Sequence, residues 1–180
     1  LIMYKYKTEP FKHQRHSLME GAKPHNFAYF MEMGTGKTKV AIDNAAYLFQ
    51  DQKIDYVFVI APNSVYQNWK KEIDIHCPEE TNIYIWKVTK DKTFKMDAKK
   101  LTFVLMNVEA LSHASGKKWL ESKLQKHGMR SMIILDESTS IKNLKASRTK
   151  SIIKLGQLAR YKRILTGSPI TKSPLDLFSQ

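Results

Sequence analysis

The sequence predicts an α/β domain with a mostly parallel central sheet and helices on both faces. Six short apolar runs alternate with longer stretches that have the spacing of amphipathic helices. Several of these runs are apolar at consecutive positions, which is typical of strands buried on both faces of a parallel sheet. A chain of 180 residues has the length of one domain, so we expect residues 1–180 to form one unit.

The expected elements follow one another along the chain. Strands are predicted at residues 27–31, 56–61, 83–88, 101–106, 131–135 and 162–165. Helices are predicted at residues 37–49, 64–76, 117–126 and 146–159. In a parallel sheet of this kind, ligands with phosphate groups bind at the carboxyl ends of the strands. The loops that follow the strands are therefore the first places to search for a functional site.

The composition argues against two classes of protein. A single cysteine allows no intrachain disulfide, which disfavours a secreted domain stabilised by disulfides. The apolar runs are far shorter than the roughly 20 residues of a membrane-spanning helix, so we expect no membrane partner. The sequence therefore indicates a protein of a reducing intracellular compartment, in the cytoplasm, the nucleoid or the nucleus.

Positive charge dominates the chain, with 30 Lys and Arg against 17 Asp and Glu and a formal net charge of +13. Between Ser138 and Leu175 there is no acidic residue at all. Such a stretch of one sign favours an anionic partner, although a solvated helix face is the alternative interpretation. The nine basic residues of this stretch are Lys142, Lys145, Arg148, Lys150, Lys154, Arg160, Lys162, Arg163 and Lys172.

A short glycine-rich loop lies between the first predicted strand and the first predicted helix, and it consists of Gly34, Thr35, Gly36, Lys37 and Thr38. Glycines let a backbone turn tightly and bring its N–H groups against phosphate oxygens. A lysine can then reach the outer phosphates, a threonine hydroxyl can bind Mg²⁺, and the helix N-terminus adds partial positive charge. Met31 occupies the place of the first glycine of the full Walker pattern. The loop predicts a nucleotide phosphate site, with a chance glycine-rich turn as the alternative.

Two carboxylates follow a later apolar strand, because residues 132–135 lead directly into Asp136 and Glu137. In enzymes that hydrolyse nucleoside triphosphates, a carboxylate at such a position holds Mg²⁺ and a neighbour can polarise the attacking water. An acidic pair after a strand is common on its own. Together with the glycine-rich loop, it predicts nucleotide hydrolysis.

Six segments resemble the motifs of superfamily 2 helicases, in particular those of the Snf2-like branch. In chain order they are PFKHQ (10–14), MEMGTGKT (31–38), IAPNSVYQNWKKE (60–72), FVLMNVEAL (103–111), ILDESTSIKN (134–143) and RILTGSPI (163–170). These segments are similar to a Q-like element and to motifs I, Ia, Ib, II and III. The resemblance implies a RecA-like P-loop domain, the first of the two such domains of the family. From this resemblance we expect the second domain, with its arginine finger, to lie outside this chain.

Two departures from the family pattern affect motifs II and III. Ser138 and Thr139 replace the Ala-His pair that usually follows the acidic residues, and Ser168 replaces a threonine. A hydroxyl network through Thr139, Thr166 and Ser168 is one way to replace the missing histidine link.

The resemblance also implies a role for each residue of the nucleotide site. ATP phosphates bind the backbone N–H groups of the loop Gly34, Thr35, Gly36, Lys37 and Thr38. The Lys37 ammonium bridges the β- and γ-phosphates, and Thr38 with Asp136 holds Mg²⁺. Glu137 orients and deprotonates the attacking water, and Gln14 reads adenine through its amide.

A second group of residues is implied to connect ATP to nucleic acid. Motif III couples the two through Thr166, Gly167 and Ser168. Phosphates of a nucleic acid contact the segments after two central strands, at Asn63, Ser64 and Asn107. The Snf2-like form of motifs Ia, II and III implies movement along double-stranded DNA. Because the arginine finger belongs to the second domain, we expect this domain alone to hydrolyse ATP slowly.

Three alternatives remain open from the sequence. One is a nucleotide-gated nucleic-acid-binding module with little turnover, against which the intact Lys37, Thr38, Asp136 and Glu137 argue. Another is a helicase that unwinds RNA or DNA. The third is a different P-loop enzyme, such as a kinase for a small molecule, which the basic surface and motif III disfavour.

Overall fold

Six parallel strands form the centre of the molecule. The computed structural model describes residues 3–87, 97, 99–137 and 146–167. The strands are β1 (Asn26–Phe30), β2 (Tyr56–Ala61), β3 (Thr81–Ile85), β4 (Leu101–Asn107), β5 (Ser131–Glu137) and β6 (Tyr161–Thr166). They lie in the order β1-β6-β5-β2-β4-β3, and every neighbouring pair is parallel.

Helices connect the strands and cover both faces of the sheet. They are α1 (Lys12–Gly21), α2 (Lys37–Gln50), α3 (Asn63–His76), α4 (Ala114–His127) and α5 (Ala146–Gly156), with short 3₁₀ turns at Val108–Ser112 and Gly128–Arg130. The first three pack on one face of the sheet through side chains such as Leu18, Ile42 and Trp69. The last two pack on the other face through side chains such as Leu120 and Ile152. The predicted fold class is therefore confirmed.

The central strand β2 shows why the sequence pattern was informative. All six of its residues are buried, so an uninterrupted apolar run is required there. Its side chains alternate between the two faces, with Val57 and Val59 in the core beneath α1–α3. Phe58 and Ile60 lie in the core beneath α4 and α5. Each face thus receives its own apolar cluster from the same strand.

All six predicted strands and all four predicted helices are present; the strand at 56–61 has the predicted ends and the others are shifted. Residues 83–88 were predicted as a strand, but β3 covers Thr81–Ile85 because its pairing with β4 begins at Thr81 and ends at Ile85. The helix predicted at 146–159 ends at Gly156. There the N–H groups of Leu158 and Ala159 bond to carbonyls three residues earlier, which tightens the chain into the turn before β6.

Helix α1 was not predicted. Its buried residues are Gln14, Leu18 and Gly21, so a single large apolar side chain faces the core. This is too little apolar periodicity to identify a helix in sequence. Among the described residues, the helices are too short or too polar to span a membrane.

Arg163 corrects the interpretation of the acid-free stretch. It lies in β6 with 0% of its surface exposed, and its guanidinium donates to the carbonyls of Gly21, Pro24 and His25 and to Oδ1 of Asn44. The prediction that it belongs to a basic surface is therefore wrong, because its donors serve the junction between α1 and β1, Asn44 of α2 and the carbonyl of Lys162. Lys150 and Lys154 of the same stretch are exposed. Lys142, Lys145 and Lys172 lie outside the described residues, as does the side chain of Arg148.

Candidate functional site at the carboxyl edge of the sheet

The register of three strands brings three of the predicted motifs together. Strand β6 lies between β1 and β5, and Thr166 at its end is the register partner of both Phe30 and Glu137. The Met31 N–H continues this pairing by donating to the Thr166 carbonyl at 3.1 Å. The loops that leave β1, β5 and β6 therefore begin side by side, at the edge where parallel sheets bind ligands.

The loop after β1 has the backbone that its glycines predict. Gly34 has φ +78° and Gly36 has φ +83°, both in the left-handed region that favours glycine. Gly36 is also the N-cap of α2, and a Cβ atom there would collide with Nε2 of Gln14. A larger residue at this position would therefore displace either the loop or Gln14. The N-terminus of a 14-residue helix meets the loop at this point, which favours an anion.

Lys37 lies at the centre of this loop. Its Nζ donates to the carbonyl oxygens of Met31 at 2.9 Å and of Glu32 at 3.2 Å. Gly167, which follows β6, is its neighbour, since a Cβ atom on Gly167 would lie 3.8 Å from Nζ. The structure therefore brings the predicted phosphate-binding lysine and the predicted motif III glycine together.

Asp136 lies at the end of β5 and is 6% exposed. Its Oδ2 accepts a hydrogen bond of 2.8 Å from Nε1 of Trp69, a fully buried residue of α3. Burial raises the pKa of the Asp136 carboxyl, while the Trp69 N–H and the charge of Lys37 oppose that rise. Mg²⁺ prefers oxygen ligands. The hydrogen bond from Trp69 occupies one lone pair of the Asp136 carboxylate, so other lone pairs are left for a metal ion.

Trp69 is the site residue that sequence analysis missed. The presence of a tryptophan was itself a signal, because a buried tryptophan usually has a hydrogen-bond acceptor for its indole N–H. Its partner could not be identified in the sequence, since Trp69 and Asp136 are 67 positions apart. Through this hydrogen bond, Trp69 of the motif Ia segment orients the Asp136 carboxylate of motif II.

The remaining predicted phosphate-site residues are only partly described. Thr38 is half-buried in the first turn of α2, directly after Lys37. Glu137 is the last residue of β5, but its side chain lies outside the described part of the structure. Ser168 also lies outside the described residues. The roles predicted for these three residues therefore stay predictions.

Gln14 lies directly over the phosphate loop and is 5% exposed. Its Nε2 donates to the Thr35 carbonyl at 3.0 Å, and its Oε1 accepts from the Phe11 N–H at 2.9 Å. The side chain thus connects the start of α1 to the loop. An amide group has a second N–H and a second acceptor lone pair for a ligand, and the role of Gln14 in reading adenine stays a prediction.

A cavity of about 240 Å³ opens beside this loop, lined in part by Phe11, Gln14, Gly36 and Lys39. The Lys39 side chain in its wall is held by an ion pair, because Nζ of this buried lysine lies 2.7 Å from Oδ2 of Asp43. The hydroxyl of Tyr4 donates to the other oxygen of Asp43 at 2.7 Å. Burial raises the pKa of Asp43, and the Lys39 and Tyr4 hydrogen bonds oppose that rise.

The predicted nucleic-acid contacts lie farther along the same edge. Asn107 ends β4 and is the register partner of Ala61, the last residue of β2, while Asn63 is the first residue of α3. The Asn107 Oδ1 accepts from the Glu109 N–H at 3.0 Å and so caps the 3₁₀ turn that follows. Asn63 and Asn107 line one cavity of about 310 Å³. The side chain of Ser64 lies outside the described part of the structure.

Comparison with known proteins places these features in a family. The family described as SNF2-related domain matches residues 18–179. The chromatin-remodeling ATPase INO80 of Debaryomyces hansenii is 32% identical over 159 residues, which cover 82% of this chain and 11% of that protein. The protein of the same name from Aspergillus oryzae is also 32% identical over 159 residues, with 82% and 10% covered. The chain thus spans about a tenth of the length of these relatives.

Solved structures show the same fold. The SWI2/SNF2 ATPase core of Sulfolobus solfataricus in complex with dsDNA has a TM-score of 0.68 and 21% identity, over 94% of this chain and 34% of that one. The UvsW helicase of bacteriophage T4 has a TM-score of 0.63 and 17% identity, over 89% of this chain and 53% of that one. The predicted RecA-like fold and the predicted Snf2-like resemblance are both confirmed, and the chain belongs to the SNF2-related domain family.

Proposed function

We propose that this chain is the ATP-binding half of a DNA-dependent ATPase that couples Mg²⁺–ATP hydrolysis to movement on duplex DNA. The observation that carries the proposal is the meeting of Lys37, Asp136 and Gly167 at one sheet edge, through the shared register of β1, β5 and β6. The names of the relatives support it, since they are chromatin-remodeling ATPases. The bound dsDNA in the Sulfolobus solfataricus core supports the DNA partner.

In this proposal, the loop 34–38 holds the ATP phosphates through its backbone N–H groups and the N-terminus of α2. The Lys37 ammonium leaves the carbonyls of Met31 and Glu32 and binds the β- and γ-phosphate oxygens. Both acceptors it leaves are backbone carbonyls of the same loop, so the motion is a local side-chain rotation.

A hydroxyl and a buried carboxylate form an oxygen donor set that suits Mg²⁺, and these are supplied by Thr38 and Asp136. When bound, the ion neutralises charge on the β- and γ-phosphates. Trp69 orients the Asp136 carboxylate from behind. Glu137, the next residue of β5, accepts the proton of the attacking water.

Motif III provides the connection to the rest of the protein. Thr166 is bonded into both neighbouring strands, and Gly167 contacts the region of the Lys37 ammonium. When the γ-phosphate is lost, a movement of the Lys37 side chain therefore alters the surroundings of Gly167, the residue after β6. We assign Ser168 to the same coupling segment. An arginine from a second RecA-like domain completes the transition-state charge, a contribution of roughly 10³–10⁵ in rate where such fingers are known.

The adenine is assigned to the cavity beside Gln14 and Phe11, which borders the phosphate loop. The Phe11 ring is exposed and parallel to the His13 ring, at an interplanar angle of 14°. It offers an apolar face to a base, while the second N–H of Gln14 offers a donor.

Duplex DNA is assigned to the other half of the edge, across Asn63, Ser64 and Asn107. Side-chain amides, hydroxyls and the N-terminus of α3 contact phosphates there, which positions the protein without reading sequence. The net charge of +13 supplies nonspecific attraction that falls as salt rises. We therefore assign the protein to a compartment that contains DNA, the nucleoid or the nucleus.

The test is the ATPase rate against added duplex DNA, on the protein at its full natural length and on residues 1–180 alone. We expect stimulation by DNA in the former and slow turnover in the latter. Lys37→Ala should lower kcat/KM by a factor of about 10² or more, because it removes a donor to the transferred phosphoryl group.

The matched control is Lys118→Ala, which removes an exposed lysine of α4 outside the acid-free basic stretch. It should leave the rate within twofold of the parent, by analogy with neutral surface substitutions. Retained hydrolysis in Lys37→Ala would contradict the phosphate site. ATP binding without hydrolysis at any DNA concentration would favour the nucleotide-gated binding module instead.

A further inference from the structure

The cavity of about 310 Å³ at the ends of β3 and β4 contains more than the predicted phosphate contacts. Besides Asn63 and Asn107, it is lined by the half-buried Trp86, the exposed Lys87 and the buried Leu105. Its volume is near the lower end of the range of about 300–1,000 Å³ for small-molecule pockets. One nucleotide-sized group fits such a space, and the function proposed above uses only its rim.

The apolar wall of this cavity is held in place. The Trp86 N–H extends the sheet by donating to the Leu105 carbonyl at 3.0 Å. The indole lies against α4, with its ring centroid 6.4 Å from that of Trp119. Gly116 lets α4 approach the preceding 3₁₀ turn, because a Cβ atom there would collide with the Ala110 carbonyl, and the same Cβ would lie in contact with Cη2 of Trp86 at 3.4 Å. A fixed, half-exposed indole is a surface on which a base can stack without further ordering.

The polar wall supplies donors beside the carboxylate of the exposed Glu109. The Asn107 Oδ1 is engaged by the Glu109 N–H, which leaves the two N–H donors of Nδ2 for a ligand. The exposed Lys87 follows Trp86 directly, and the exposed His113, the N-cap residue of α4, also lines the cavity. One aromatic face, amide donors and a neighbouring cation are the groups that bind a base and its phosphate.

We propose that this cavity binds one unstacked nucleotide of the bound DNA strand. Its base stacks on the Trp86 indole, its edge accepts from Asn107, and its phosphate contacts Lys87. The proposal rests on the proposed function, because DNA that crosses Asn63 and Asn107 passes the mouth of the cavity. It makes this chain a reader of unpaired or distorted nucleotides in a duplex, in addition to a motor on regular DNA.

The test compares three DNA duplexes of the same sequence: fully paired, with one extra unpaired adenine, and with an abasic unit in place of that adenine. The abasic duplex is as flexible as the bulged one but has no base. We expect the protein to bind the bulged duplex about 5- to 150-fold more tightly than the abasic one, which is the range of one base–aromatic stacking contact. With 2-aminopurine as the unpaired base, stacking on Trp86 should quench its fluorescence.

The variants are Trp86→Leu, which removes the aromatic face, and Trp86→Phe, which keeps one. The preference for the unpaired base should disappear in the first and largely persist in the second, while affinity for the paired duplex is equal in both. Equal binding of the bulged and abasic duplexes by the parent protein would overturn the proposal. A preference that survives in Trp86→Leu would also overturn it.

The two proposals fail separately. If paired DNA does not stimulate ATP hydrolysis, the proposed ATPase function fails, whatever the bulged duplex does. If paired DNA stimulates hydrolysis and the unpaired base gives no preference, the ATPase function stands and the nucleotide cavity fails.

Discussion

The carboxyl edge of the sheet has two halves that are built differently. At the β1-β6-β5 half, polar side chains are buried and already paired, as in the Asp136–Trp69 and Gln14–Thr35 hydrogen bonds. At the β2-β4-β3 half, Asn63 is exposed and Asn107 is half-buried, and both border an open cavity. The first half holds its groups in a fixed geometry before any ligand arrives, whereas the second presents groups to a ligand that moves past.

This difference has a physical reason. Phosphoryl transfer depends on groups that are positioned before the reaction, because reorganising them would cost energy at the transition state. A partner along which the protein moves requires contacts that form and break easily, and exposed amide donors suit that need. Substitutions in the paired half should therefore alter stability, pKa values and turnover. Substitutions in the open half should alter DNA affinity and leave ATP binding without DNA unchanged.

Arg163→Met should have the largest effect on stability. The methionine keeps much of the volume but leaves the carbonyls of Gly21 and Pro24 without this donor, while the His25 carbonyl keeps the Lys162 N–H and the Asn44 Oδ1 keeps the Tyr29 hydroxyl. Each buried acceptor left unpaired costs about 1–3 kcal/mol, so the free energy of unfolding should fall by about 3 kcal/mol or more. Urea denaturation measures it, with Lys154→Met as the exposed control, expected within about 0.5 kcal/mol of the parent. Equal midpoints would contradict a structural role for Arg163.

Trp69→Phe should shift the pH dependence of ATP hydrolysis. The indole N–H stabilises the ionised form of Asp136, so its loss raises the pKa of that carboxyl above its already raised value. Activity needs the carboxylate, so the acid limb of the pH–rate profile should move to higher pH. A hydrogen bond to a charged group is worth about 1.5–3 kcal/mol, which is enough for the displacement of the acid limb to be measured.

The control for this prediction is Trp119→Phe, which alters a buried tryptophan on the opposite face of the sheet. It should lower stability without moving the acid limb. An acid limb that stays in place in Trp69→Phe would show that Trp69 serves packing alone.

Gln14→Ala separates two roles of one residue in the paired half. Direct contact with adenine would make the variant lose its preference for ATP over GTP, by about tenfold. A role limited to the Phe11 and Thr35 contacts would weaken both nucleotides equally. We expect the loss of preference, measured as the ratio of kcat/KM for ATP and GTP. An unchanged ratio would assign Gln14 to the support of the loop.

Asn107 should have the smallest effect, and it lies in the open half. Asn107→Ala loses both the cap of the 3₁₀ turn and a donor to phosphate, so duplex affinity should fall about fivefold at every sequence. Asn107→Asp keeps an acceptor for the Glu109 N–H but repels phosphate, so it should bind DNA no better than Asn107→Ala while remaining as stable as the parent. Parental DNA affinity in Asn107→Asp would limit Asn107 to capping. ATP binding without DNA should be unchanged in both variants.

The sequence predicted what depends on local pattern. Apolar runs identified all six strands. The sequence also predicted the tight phosphate loop, and its glycines Gly34 and Gly36 have the positive φ angles that such a loop requires. It did not predict what depends on distant partners. The Trp69–Asp136 bond joins residues 67 positions apart, and the Arg163–Asn44 bond joins residues 119 positions apart. Arg163 was misjudged for the same reason, since a basic residue in sequence carries no sign of the carbonyls that surround it.

The central claim is that the paired half hydrolyses ATP and that this reaction controls the open half. Glu137→Gln tests it most directly, because the amide keeps the side-chain volume and loses the basicity needed to activate water. The measurement is the affinity for paired duplex DNA with and without Mg²⁺–ATP, alongside the hydrolysis rate, on the protein at its full natural length. We predict that hydrolysis falls by a factor of about 10² or more and that Mg²⁺–ATP still binds. With ATP present, the affinity of the variant for duplex DNA should then exceed that of the parent. Hydrolysis at the parental rate, or DNA affinity that does not respond to ATP, would contradict the account.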